Sequence, residues 1–349
     1  MPLNLSAAVG LFGVVAITSG VVYLSGDHGA GTSVKVSSPN DQASRNVEVP
    51  GEPVQPLVES TDLDDGRVRF GKMLFFDTRL SADGTIACAS CHLPDHGGAD
   101  RVALSKGLNG RSTVLNTPTV YDARLSIAQF WDGRAATLEA QIDYPLHNES
   151  ELGTTWPAVV SRLERDKDYV TAARSLYGAP LSREVISSAI VEYERSLVST
   201  GSRFDEYLRG RSDALTEREK TGYRLFKEYG CAACHQGAAV GGNMFQKIGL
   251  FGDYVTDRGL DTPADLGRFN ATGREDDRYV FKVPSLRNVA LTAPYFHDGS
   301  VETLEMAIGL MARYQLGRSI SSGDISDIAM FLRTLTPFGA RNETDAAIN

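Results

Sequence analysis

Cys88-Ala89-Ser90-Cys91-His92 and Cys231-Ala232-Ala233-Cys234-His235 are the stretches on which the fold of this 349-residue chain turns, and they hold all four of its cysteines. As disulfides the two pairs would close tiny loops that restrain the unfolded chain little. A zinc site is possible on ligand type. Attachment of a c-type haem explains the adjacent histidine better: both thiols add to the vinyl groups, and the next residue ligates the iron. A thioredoxin-like pair could account for one such motif, but hardly for two in equivalent places.

Equivalence follows from an internal repeat. Pro118-Thr119-Val120, Trp131-Asp132-Gly133 and Thr137-Leu138-Glu139 recur as Pro284-Ser285-Leu286, His297-Asp298-Gly299 and Thr303-Leu304-Glu305, each 166 positions later. Gly71-x-x-Leu74-Phe75 precedes the first cysteine pair and Gly222-x-x-Leu225-Phe226 the second. Ile186, Ile190, Tyr193 and Leu197 recur at helical spacing, as do Ile325, Ile328, Leu332 and Leu335. Thr216 and Glu219 form a capping-box pattern ahead of Tyr223, Phe226 and a terminating Gly230. Alternating strands are scarce. The expected fold is mainly α: two cytochrome c-like helical domains, each wrapped around one covalent haem, with long loops where chain surrounds cofactor.

Working outward, residues 61–205 and 206–340 are the expected domains, and 341–349 a tail. Residues 27–60, rich in Gly, Ser, Pro, Asn and Asp, read as a flexible linker. Residues 1–26 contain an apolar run from 5 to 24, long enough to cross a bilayer although no Lys or Arg precedes it. A cleaved export signal and a retained anchor both fit, and either places the protein in the periplasm, in the second case held at the inner membrane. A net charge of −9 argues against a general nucleic-acid binder and suits a partner with a basic docking face.

The far side of each iron decides its chemistry. A methionine there gives a six-coordinate iron of raised potential, suited to electron transfer. An open face admits peroxide, whose cleavage needs a nearby group to move a proton. One half should therefore carry a methionine and the other a carboxylate.

Over residues 63–336 the chain resembles the bacterial dihaem cytochrome c peroxidases. LFFDTRLSADGTIACASCH (74–92), NTPTV (116–120), FWDGRAATLEAQ (130–141), GCAACHQG (230–237) and VPSLRNVALTAPYFHDGSVETL (283–304) carry the likeness. The resemblance implies reduction of hydrogen peroxide by a small cytochrome c or cupredoxin donor, with a membrane quinol possible if the N-terminus is anchored; a homodimer stays open. It makes His235 and Met311, in MARYQLG (311–317), the ligands of the electron-accepting haem, with Met306 a packing residue. His92 becomes the proximal ligand of the peroxide-binding haem, Glu151 its distal carboxylate and Gln141 a polar helper. Trp131, beside Phe130, falls between the haems. The side chain of Asn116 and the carbonyls of Thr292 and Pro294 fall on the ligands of one calcium ion. Subtracting the repeat offset from Met311 leads to residue 145, just before Glu151, so the repeat also places a distal loop there.

Many members of this family block the resting peroxide site with a second histidine. Leu108 stands at that position here, and no histidine lies between His96 and His147. A first haem open as isolated, without reductive activation, is the expectation. His96 and His147 are expected at the surface, His147 near the distal loop. Two rivals remain. Related dihaem enzymes oxidise protein side chains at long range; they share the missing histidine, but carry a tyrosine where Met311 stands. A non-enzymatic electron-transfer cytochrome would have six-coordinate iron at both sites.

Overall fold

The computed structural model describes residues 48–59, 62–259 and 261–337. The expected signal or anchor, most of the linker and the tail from 341 lie outside them. Among the described residues no helix is long and apolar enough to cross a membrane.

Five helices build the first half: α1 (Asp65–Phe75), α2 (Leu138–His147), α3 (Trp156–Leu163), α4 (Lys167–Tyr177) and α5 (Arg183–Ser196). Their apolar faces meet in one core, with Phe70, Leu74 and Phe75 of α1 against Ile186 and Ile190 of α5. The second half holds α6 (Arg203–Leu208), α7 (Glu217–Glu228), the short α8 (Tyr254–Arg258) and α9 (Phe269–Thr272), α10 (Leu304–Leu310) and α11 (Ser322–Arg333). Phe204, Tyr223, Phe226, Ile328, Phe331 and Leu332 form its core. One antiparallel ribbon, β1 (Phe245–Lys247) with β2 (Val280–Lys282), pairs Gln246 with Phe281.

Local chemistry explains the boundaries. Thr216 and Glu219 cap α7 reciprocally, and Gly230, at φ +96°, turns the chain out of the helix into the cysteine motif. Ile186, Ile190 and Tyr193 are buried on α5, and Leu197 caps its end rather than lying inside it. The glycines preceding each motif are contact points. A methyl on Gly71 would overlap the Ala189 carbonyl of α5, and one on Gly222 the Asp327 carbonyl of α11. The same close helix crossing is thus built twice.

The repeat extends to backbone detail. Positive φ occurs at Asp122 and Asn288, at Phe130 and Phe296, and at Gly133 and Gly299. Isolated bridges join Gln129 to Ala135 and Tyr295 to Val301. Thr137 caps α2 as Thr303 caps α10.

One expectation needs correcting. The end of the expected 27–60 linker is packed: Val54 and Leu57 are fully buried, and Val54 belongs to the second core. Gly237 N–H donates to the Pro53 carbonyl (2.9 Å), and Gln55 N–H to that of Gly237 (3.3 Å). Lys227 and Tyr223 of α7 hold Glu52. The chain thus contributes a rib to the second half before crossing to begin the first.

Candidate functional site

Each cysteine motif forms a single 3-10 turn, and each histidine N–H donates to the carbonyl of the first cysteine at 3.0 Å. No disulfide joins the four thiols. Burial pushes Cys88 up to about 12 and Cys91 and Cys231 to about 11, so these three are protonated at neutral pH. Among the described residues no three His, Cys, Asp or Glu side chains are arranged to hold one metal ion, so the zinc alternative has no donor set.

In the second half, Cys231, Cys234 and His235 line a cavity of about 580 Å³. Phe226, Val283, Leu304, Ile308 and Leu332 give it apolar walls, and Met311 shares them. Nδ1 of His235 is buried without a hydrogen-bond partner. Burial pushes the imidazole down to about 4, opposed by the backbone of Val240 and Pro284, so it is neutral and able to donate a lone pair. An apolar slot holding two free thiols, a neutral imidazole and a thioether fits a c-type haem. Met311 opens a π-helical turn (Met311–Gln315) after α10. Met306, expected to pack, is instead 53% exposed and absent from the cavity wall, because it falls on the outer face of α10.

The same cavity reaches the first half. Trp131 lines it, donating from Nε1 to the Asn116 carbonyl (2.9 Å) and accepting at its own carbonyl from Lys282 N–H (2.8 Å). Its ring meets His297 edge-on, centroids 6.5 Å apart. Asn116, Thr292 and Pro294 line the cavity too. Asn116 Nδ2 donates to the Val102 and Ala103 carbonyls, which leaves Oδ1 as a donor atom for a cation.

In the first half, His92 Nδ1 lies 3.3 Å from the Gly98 carbonyl, which only accepts; Nδ1 therefore carries the proton and Nε2 keeps its lone pair. Burial lowers its pKa and keeps it neutral. Glu151 sits close enough to both thiols to raise them. Burial raises the Glu151 carboxyl itself, against a hydrogen bond from Asn148 (2.6 Å) and the charge of Arg134. Leu108, 8% exposed, donates its N–H to the Glu151 carbonyl at 3.0 Å. Gly107 lies so close to Ser150 that a side chain would not fit, so the two loops are zipped together. Gln141 is half-buried on α2. His147 is exposed and bonded to the Asp143 carbonyl of its own helix, and His96 is exposed.

Three features escaped the sequence reading. Arg287 is fully buried against Asp205, in the quoted string VPSLRN, where a lone charge among apolar residues was the available signal. His297, buried against Phe281, bonds Asp265 (2.7 Å), which also pairs with Arg258. Burial opposes ionisation of Asp265, yet bonds from Thr262, His297 and Arg258 hold it down at about 2. Glu194, 6% exposed with an unpartnered oxygen, is pushed up to about 8 by burial and by Glu139.

Residues 65–213 match the family model described as di-haem cytochrome c peroxidase. The chain is 42% identical over 295 residues to the cytochrome c551 peroxidase of Nitrosomonas europaea, covering 84% of this chain and 87% of that one. Identity to the cytochrome c peroxidase of Escherichia coli is 45% over 285 residues, 81% of this chain but only 61% of the relative's length. Among solved structures, a MauG-like protein associated with microbial copper homeostasis matches with a TM-score of 0.71 at 29% identity, over 84% of this chain and 96% of that one. Two Cys-x-x-Cys-His motifs in a duplicated helical frame, and likeness running through both halves, lead to one conclusion: the chain belongs to the di-haem cytochrome c peroxidase family.

Proposed function

We propose that this protein reduces hydrogen peroxide to two waters, taking up two protons and two electrons from a small periplasmic cytochrome c or cupredoxin. Cys88 and Cys91 hold one haem covalently, Cys231 and Cys234 the other. When bound, the haems supply redox-active iron, one receiving electrons and the other serving as the place where peroxide is reduced. His92 offers Nε2 to the first, while His235 and Met311 flank the second. Trp131 spans the two halves, and Asn116, Thr292 and Pro294 bind one calcium ion.

The observation that carries the reading is the union of Leu108 and Glu151 in one pair of loops beside the first motif. Leu108 has no atom that can ligate, so the peroxide face needs no prior reduction to open. Glu151, its carboxyl raised by burial, takes a proton from one peroxide oxygen and returns it to the other. Gln141, half-buried on α2, serves as a neutral hydrogen-bonding helper. Replacing Glu151 with Gln removes the exchangeable proton at nearly constant shape. Peroxide turnover should fall by about 10²–10⁴ with both haems retained; full turnover in that variant would remove the role. Electron paramagnetic resonance of the oxidised protein, before and after peroxide, tests the open face.

Leu108 also favours a second reading, long-range oxidation of a protein side chain. Met311 on the cavity wall opposes it. The readings separate on whether a small reduced donor is consumed in proportion to peroxide.

A further inference from the structure

Lys282, half-buried, lacks the carboxylate partner that encloses the most buried cations of this fold. Arg287 is enclosed with Asp205, and Arg258 lies between Asp265 and Asp298. Lys282 closes β2 with its backbone N–H on the Trp131 carbonyl, and its side chain lines the cavity that holds Cys231, Cys234, His235 and Met311. Among the described residues no carboxylate or carbonyl accepts from its Nζ. Burial alone acts on the amine, pushing it down to about 8. The cavity wall contains no Asp or Glu and no second Lys or Arg.

An ammonium drawn away from water with no counter-charge is destabilised. Such a group persists when something else brings the balancing charge. The wall is apolar apart from a few neutral polar groups, so the charge belongs to the occupant. A c-type haem is a flat apolar ring that carries two carboxylates, its propionates, on the edge away from the vinyl groups. Thioether bonds to Cys231 and Cys234 use the vinyl edge and leave the propionates to find partners elsewhere on the wall.

We propose that Lys282 is the counter-ion of a propionate of the second haem, and that this ion pair ties the haem edge to the Trp131 backbone and raises the haem's reduction potential. The proposal rests on the reading of the cavity as the second haem site. It makes Lys282 a positioning residue. Reduction adds one negative charge to the haem, and a fixed ammonium beside it stabilises that added charge.

The test is a potentiometric titration of the purified dihaem protein and its Lys282→Gln and Lys282→Arg variants, following the Met-ligated haem by its absorption spectrum. Lys282→Gln should make reduction of that haem at least tenfold less favourable, a downward shift of about 59 mV for one electron. The first haem should shift less, and Lys282→Arg should stay near the parent. Resonance Raman spectra of the same samples give an independent measure: the propionate bending band should move in Lys282→Gln and not in Lys282→Arg. A potential and a bending band both unchanged in Lys282→Gln, with two haems bound, would overturn the proposal. If Lys282→Gln loses its second haem while Lys282→Arg keeps it, the requirement for a cation is upheld; if both lose it, the bending band of the native protein, at the frequency of a free propionate, would still refute the ion pair. Absence of a second covalent haem from the native protein would instead refute the underlying assignment of the site.

Discussion

Arg287 offers the sharpest stability test, because every one of its donors can be accounted for. A guanidinium carries five N–H groups. Nε donates to the Ala238 carbonyl (2.9 Å). Nη1 donates to Ser202 Oγ (3.1 Å) and Asp205 Oδ2 (2.9 Å), and Nη2 to Asp205 Oδ1 (2.8 Å) and the Gln55 carbonyl (3.2 Å). Both charged side chains are 0% exposed. One residue thus joins α6, the N-terminal rib and the loop three residues past His235. Arg287→Met leaves the Asp205 carboxylate buried without its cation, a loss of about 3–5 kcal/mol. Arg287→Lys keeps the charge but supplies three donors for five bonds. At least two acceptors lose their partner at about 1–3 kcal/mol each, so about 2–6 kcal/mol is expected. Against a total of about 5–15 kcal/mol for a domain, either change is large.

The assay is urea unfolding of the haem-loaded protein, read by haem absorbance, for Arg287→Met, Asp205→Leu and the double variant. Removing both charges removes the unpaired ion, so the double variant should be less destabilised than the sum of the singles by at least about 2 kcal/mol. Simple additivity, or an Arg287→Met protein within about 1 kcal/mol of the parent, would refute the reasoning.

Two further outcomes follow from the first half. Leu108→His should place an imidazole beside the Glu151 loop; the oxidised first haem then becomes low-spin by electron paramagnetic resonance, and peroxide turnover is lost until the protein is pre-reduced. An unchanged spectrum would mean that Leu108 does not face the haem. Glu194 should impose a pH slope on stability. Its proton is held more tightly in the folded chain, with a pKa of about 8 against an ordinary 4.5, so the stabilisation is complete below about 4.5 and is lost as pH rises through about 8. The unfolding free energy should drop by at most about 5 kcal/mol over that window, and Glu194→Gln should flatten the drop; equal slopes in parent and variant would exclude Glu194 as its source.

What was legible in the sequence was what chemistry confines to short spacing. Thioether attachment forces two cysteines and a histidine into five residues, and capping forces Thr216 and Glu219 three apart. Helical periodicity placed Ile186, Ile190, Ile328 and Leu332 on helices, and the fold buries all four in its cores. The rest depended on partners far along the chain. Pro53 and Gln55 looked like linker because their hydrogen-bonding mate, Gly237, lies more than 180 residues away. Arg287 looked like one charge in an apolar string because Asp205 and Gln55 come from separate segments. Met306 and Met311 share a helical run that periodicity alone does not resolve; the resemblance singled out Met311, and the rotation of α10 turns Met306 away from the cavity.

The repeat also explains how one backbone frame supports two chemistries. Positive φ recurs at matching positions in both halves, whereas the side chains diverge: Trp131 answers His297, and Tyr121 answers Arg287. The decisive exchange is Met311 for Pro145, 166 positions apart. Met311 ends α10 with a thioether on the cavity wall. Proline at the matching place in α2 has no atom to offer an iron and no N–H to continue the helical bonding. Its carbonyl accepts instead from Leu152 N–H at 3.1 Å, and that of Leu146 from Thr154 N–H at 2.8 Å. The chain after α2 is thereby folded back on the helix end. Glu151 sits in the returning loop, with its carbonyl on Leu108 N–H and its carboxyl within the field of both thiols. Under the proposed roles of Met311 and Glu151, loss of a ligand and gain of an acid–base group are one structural event: where the second half ends its helix on a sulfur, the first turns its chain and presents a carboxyl.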